Sequence, residues 1–322
     1  MYAFGLLAYD VAVVAWGAYV RATGSGAGCG NHWPLCDGKF IPHTGRTETL
    51  IELSHRVSSG LALVLTFVLL ALVWRAYPPR HVVRKGAVAA SAFMVTEALL
   101  GAALVLFELV AHDASMKRAL SVGLHLVNTF FLLAATALTA AWGSGIAAPR
   151  LRRPIGPVAW ALGACLLAMI LVGATGAVTA LGDTLFPPSS LSEGLAQDFS
   201  RAHVHLFVRL RLLHPVLAGF TALAIVLAAG LARLLRPTRY VRLLSRAAGV
   251  LVVMQVAAGL SSVWLLAPVW LQLVHLALAD AVWIALVLLA AASLAESEPE
   301  SVASVPPTSY TDPSLLSSGP AA

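Results

Sequence analysis

The stretch ELSHRVSSGLALV, Glu52–Val64, and its later counterpart RLLHPVLAGFTAL, Arg211–Leu223, decide how this chain is read. Both follow x-L-x-His-x-Val-x-x-Gly, and the two histidines stand 159 residues apart. Three more correspondences keep the same order. TEALLGA around Gly101 matches MQVAAGL around Gly259, LHLVN at His125 matches VHLAL at His275, and RATG ending the first apolar run matches GATG in the fifth. Such a series at nearly constant offset predicts two parallel repeats.

Working outward, apolar runs of about 20 residues, enough to cross a bilayer, fall at 2–21, 50–74, 86–107, 118–141, 157–181, 206–234, 243–266 and 269–292. The chain is 59% hydrophobic and 11% charged, against about 25% charged in soluble domains, and its mean hydropathy is +0.84. Lipid forbids unpaired backbone, so the spans are expected to be helical. The predicted fold is an all-α integral membrane protein, eight transmembrane helices in two pseudosymmetric four-helix bundles. The halves are placed at 1–148 and 149–293. Residues 294–322, rich in Ser, Pro and Glu, read as a disordered cytoplasmic tail.

The net charge of +6 could suggest a nucleic-acid partner. Its arginines cluster in short connections near Arg75–Lys85, Arg150–Arg153 and Arg233–Arg246, and the positive-inside rule explains them better. That rule puts both termini in the cytoplasm and the longer loops at 22–49, 108–117 and 182–205 outside. No cleavable signal peptide is expected, the first apolar run reading as the first span.

Of ten histidines, four fall inside spans: His55, His125, His214 and His275, one per even-numbered helix. An imidazole in hydrocarbon is a functional hypothesis by default, although any single one could be bonded to a neighbouring helix. Each lies about five to eight residues into its span, so at about 1.5 Å per residue all sit roughly 8–12 Å below the outer boundary. Two imidazoles at one depth can clamp one iron from opposite sides, as in heme bundles. Zinc would want more Cys, His or carboxylate ligands. Heme is the better fit.

The halves differ beside these histidines. Glu52 precedes His55 by three residues and is expected on the same helix face, where a carboxylate can move protons or stabilise developing positive charge. Arg211 occupies the matching place before His214 and suits a salt link to a propionate. The first half is thus expected to do chemistry and the second to hold a resident cofactor. Helix-end carboxylate and snorkelling arginine are the plain alternatives. Glu97, Gln255 and Asp280 are expected to bond between helices, Gly101, Gly173, Gly176 and Gly259 to allow close approach, and Cys165 to pack in the core.

On these residues the chain resembles the heme A synthase family. The resemblance rests on VRATGSGAGCGNHWPLCDGKFIP (Val20–Pro42), the ELSHR motif and the single histidines of the other even-numbered spans, and extends from Tyr2 to about Ala292. It implies an enzyme that oxidises the C8 methyl of heme O to the formyl of heme A by two hydroxylations and loss of water, for cytochrome oxidase. It also implies that His55 and His125 flank heme O with Glu52 beside them, and that His214 and His275 ligate a resident heme b. Cys29 and Cys36 match the family's outer-loop pair. Seven positions apart on the oxidising side, they could form a disulfide, with a redox role and a stapling role both open. The second cysteine pair of some members is missing from 182–205. Partners implied are the heme O synthase, the oxidase assembly machinery and membrane lipid, with no nucleic acid; a homo-oligomer stays open. The rivals are a di-heme b-type electron carrier, which would place its hemes near opposite faces, and a repeat-built transporter with structural histidines.

Overall fold

A computed structural model describes residues 1–40, 45–149, 155–199, 207–208 and 211–295. The expectations placed on the tail beyond Ala295 and on Arg150–Arg153 lie outside the described residues.

Among the described residues, eight helices are long and apolar enough to cross a membrane: α1 (Tyr2–Ala22), α2 (Thr47–Ala76), α3 (Val82–Leu106), α4 (Met116–Gly143), α5 (Pro157–Leu185), α7 (Leu213–Leu235), α8 (Arg239–Trp264) and α9 (Val269–Leu294). Their outer faces carry large apolar side chains, such as Phe220, Leu234 and Trp264, that stay exposed. In water such surfaces would collapse together; in lipid they are already solvated. The protein is an all-helical integral membrane protein.

The helices close two rings. In the first, α1 packs on α2, α2 on α3, α3 on α4 and α4 back on α1; in the second the same order runs through α5, α7, α8 and α9. The rings meet along α1, α4, α5 and α9. At that seam the Phe130 and Trp283 rings stack with centroids 4.9 Å apart, and the Trp283 indole donates to the Phe130 carbonyl at 2.6 Å. Gly173 lets Phe130 in, since a Cβ there would stand 2.6 Å from the Phe130 ring. Cys165 is buried in the same core, as expected. Arg21 straps the seam near the start of the first loop, donating to Ala180 O at 2.7 Å, Thr184 Oγ1 at 2.8 Å and Gln272 Oε1 at 3.0 Å. A guanidinium with three fixed acceptors is positioned here for packing between helices.

Two local features depart from the sequence reading. The 182–205 segment is not all loop: α5 runs on to Leu185, and a short helix, α6 (Leu191–Phe199), follows. Ser190 accepts from the Glu193 amide at 3.2 Å while Glu193 accepts from the Ser189 amide at 2.9 Å, a capping box in all but one position. Hydrogen bonds from the Ser189 hydroxyl, the Ser189 amide and the Gln197 side chain hold the exposed Glu193 carboxyl below its usual range. Second, α7 begins only at Leu213, so His214 is its second residue rather than lying well inside a span. Pro215 explains the late start, because proline suits a first helical turn and blocks an earlier one.

Candidate functional site: four histidines seated on four glycines

Each intramembrane histidine rests against a glycine of the membrane-spanning helix before it. A Cβ would lie 2.9 Å from the His55 ring at Gly17, 3.9 Å from His125 at Gly101, 2.9 Å from His214 at Gly176 and 3.0 Å from His275 at Gly259. The sequence reading named three of these glycines and missed Gly17. It matched Thr23 with Thr175, whereas the structure pairs Gly17 with Gly176, at the 159-residue spacing of His55 and His214. The RATG and GATG likeness is therefore a coincidence of composition. The chain turns at Gly24, which has φ +69 and tolerates it for want of a side chain.

In the second half, the His214 and His275 ring centroids are 6.4 Å apart and nearly perpendicular. About 2 Å per metal–nitrogen bond and about 1.1 Å from nitrogen to ring centre would put two imidazoles sharing one iron about 6.2 Å apart. His214 Nδ1 lies 3.3 Å from Thr175 Oγ1, and His275 Nε2 lies 3.3 Å from Gln255 Nε2. In the first half, His55 and His125 stand on α2 and α4, opposite members of the first ring. Nδ1 of His55, His125 and His275 is buried without a hydrogen bond, which costs free energy unless a ligand shares the site. Among the described residues no three His, Cys, Asp or Glu side chains gather as a metal cage. Pairs of imidazoles, not cages, suit a porphyrin, which brings four nitrogens of its own.

Glu52 is buried one turn before His55, but its oxygens are directed to the first loop. It accepts from the Cys29 amide at 2.8 Å and from Arg56 Nε at 3.0 Å. Arg56 reaches on to the carbonyls of Leu35 at 2.7 Å and His32 at 2.5 Å. Thr49 donates to Gly28 O at 2.6 Å, and Gly28 lies so close to α2 that a Cβ would meet Glu48 O at 2.4 Å. Cys29 and Cys36 form a disulfide with both residues buried. The loop is thus a lid pinned to the start of α2 by Thr49, Glu52 and Arg56.

Arg211 does not share a helix face with His214; it sits in the turn before α7. It donates to Gly182 O at 2.8 Å and Phe186 O at 2.7 Å and pairs with Asp183 at 2.9 Å. These are the last carbonyls of α5, where a cation is favoured. Arg56 is likewise taken up by the loop.

Sequence reasoning also missed Asp10, which is buried in α1 with neither carboxyl oxygen hydrogen-bonded, as is Asp280 in α9. An acid within an apolar run was the available signal at Asp10.

Fold and site together define a class: a polytopic helical membrane protein of two fused four-helix bundles, each with a half-buried histidine pair. Within that class, the chain belongs to the family of cytochrome oxidase assembly proteins (COX15-CtaA), whose model matches residues 1–287. It is 50% and 49% identical over 293 residues to proteins named protoheme IX farnesyltransferase from two strains of Thermus thermophilus, covering 91% of this chain and 48% of each of them. The chain thus spans about half the length of these relatives. Heme A synthases of Bacillus mycoides and Bacillus cereus are 45% identical over 95 residues, 30% of either chain.

Proposed function

We propose that the chain is a heme A synthase, an oxidoreductase that converts the C8 methyl of heme O to the formyl of heme A for cytochrome oxidase. The observation that carries this is the repeated seat, a histidine lodged on a helix glycine four times over, with the second-half pair at a separation suited to one iron. Family membership and the Bacillus heme A synthases support it.

Residues 1–148 form the substrate half. His55 and His125 hold heme O, and Glu52 fixes a carboxylate one turn from His55 while seating the Cys29–Cys36 lid that keeps water out. Residues 149–293 form the resident half, in which His214 and His275 would hold heme b. When bound there, heme b supplies one-electron redox chemistry. Arg211 completes this cofactor-binding set by fixing the end of α5 beside His214. The chain sits in the cell membrane with both termini in the cytoplasm, in keeping with its basic short connections.

The Thermus relatives carry the name of a transferase that farnesylates protoheme IX, in chains about twice as long. This chain matches only 48% of each of them, and its repeated histidine seats are the ligand chemistry of a heme iron. We therefore assign this chain the step after farnesylation, with the heme O synthase as its supplying partner.

The test is heme extraction from membranes that express the chain with a heme O supply. Wild type should yield heme A; His55→Ala and Glu52→Ala should yield none while keeping heme b. Heme A from both variants would overturn the assignment of the catalytic half. A wild-type chain holding only heme b would favour an electron carrier, and heme O formed from protoheme by this chain alone would favour the transferase.

A further inference from the structure

Glu97 lies on α3 inside the membrane, one turn before the glycine that seats His125. Its Oε1 stands 3.3 Å from His125 Nδ1, off the line of a good hydrogen bond in the present ring pose. Two α4 side chains aim it: Asn128 Nδ2 donates to Oε2 at 2.6 Å, and the Thr129 hydroxyl donates to Oε1 at 2.5 Å. The Asn128 amide nitrogen can only donate to it, while the single Thr129 hydroxyl proton also has His125 O as an acceptor at 2.9 Å. A carboxyl clamped this way in hydrocarbon is costly to keep without a task.

The second half shows what a site without that task looks like. At the repeat-related places stand Gln255 for Glu97, Leu278 for Asn128 and Ala279 for Thr129. Gln255 Nε2 lies 3.3 Å from His275 Nε2, the other ring nitrogen, so an uncharged amide stands where the first half has a carboxyl group. The carboxylate and both of its clamps are therefore confined to the half proposed to do chemistry.

We infer that Glu97 is a positioning residue for the oxidation: it accepts the Nδ1 proton bond of His125 and makes that imidazole a stronger iron donor than its counterpart His275. This rests on the proposed heme sites. A carboxylate behind a ligating histidine orients the ring and raises its basicity, and a stronger axial donor favours the oxidised metal. The substrate iron would thus be harder to reduce than an iron backed by an amide.

The experiment loads purified full-length protein with hemin at both pairs and follows a redox titration together with the low-spin electron paramagnetic resonance signals. Glu97→Gln should shift the reduction equilibrium of the first-half heme by one to two tenfold steps, about 59 mV each for one electron, and alter its resonance signature. The second-half heme should stay as it was. Gln255→Glu should move the second-half heme the opposite way, and serves where Glu97→Gln loses heme. A first-half potential and spectrum unmoved in Glu97→Gln, or a second-half potential unmoved in Gln255→Glu, overturns the inference. The proposed function fails separately, if wild type binds heme at both pairs yet makes no heme A.

Discussion

Replacing the seating glycines by alanine gives a graded test of the histidine geometry. A methyl at Gly17 or Gly176 would stand 2.9 Å from a ring carbon, and at Gly259 3.0 Å. Carbon atoms settle at about 3.5–4.0 Å, so each ring must retreat by at least about half an ångström. Such overpacking costs about 1–3 kcal/mol, which lowers heme affinity by about 5–150-fold if it falls on the bound geometry. At Gly101 the nearest ring atom is 3.9 Å away, so alanine fits. Gly60 and Gly219, the glycines of the sequence motif itself, have nothing within 4 Å. Alanine there gains about 1 kcal/mol of helix propensity without touching a histidine. Heme per protein by pyridine hemochromogen should therefore fall in Gly17→Ala, Gly176→Ala and Gly259→Ala and hold in Gly101→Ala, Gly60→Ala and Gly219→Ala. Equal heme content across the six would refute the seat.

Two further perturbations probe the lid and the seam. Glu52→Ala leaves the buried Cys29 amide and Arg56 Nε without their acceptor, at about 1–3 kcal/mol. The Cys29–Cys36 bond should then be reduced and alkylated faster, with part of the protection restored in Glu52→Gln; a rate equal to wild type would count against the pinned lid. Trp283→Phe keeps the stack on Phe130 but loses the 2.6 Å indole bond, costing about 1 kcal/mol, whereas Trp283→Ala should cost about 3–5 kcal/mol. Thermal unfolding in detergent separates the two, and equal losses would mean that the stack carries no energy.

Much of this protein is legible in its residues because lipid imposes one rule along the whole chain. Each span must satisfy its own backbone, so hydropathy alone places eight helices. The histidines were legible for a related reason, since a polar ring is conspicuous in an apolar run. What the pattern misjudged were residues whose role depends on a neighbour. Arg211 reads as one turn from His214 on a continuous helix, yet Pro215 starts α7 late and the guanidinium caps α5. Glu52 reads as an acid facing the histidine site, yet it binds the loop amide of a residue 23 positions earlier. The Thr23–Thr175 match was sequence likeness without structural equivalence.

Composition and periodicity determined the membrane setting, the number of spans, the duplication and the four histidines, because each follows from a local transfer free energy that every residue carries with it. Only the tertiary structure decided which glycine lies under which ring, where the polar oxygens point and that Glu97 faces His125. Those depend on how helices far apart in sequence rotate and slide against one another, and no single span contains that information.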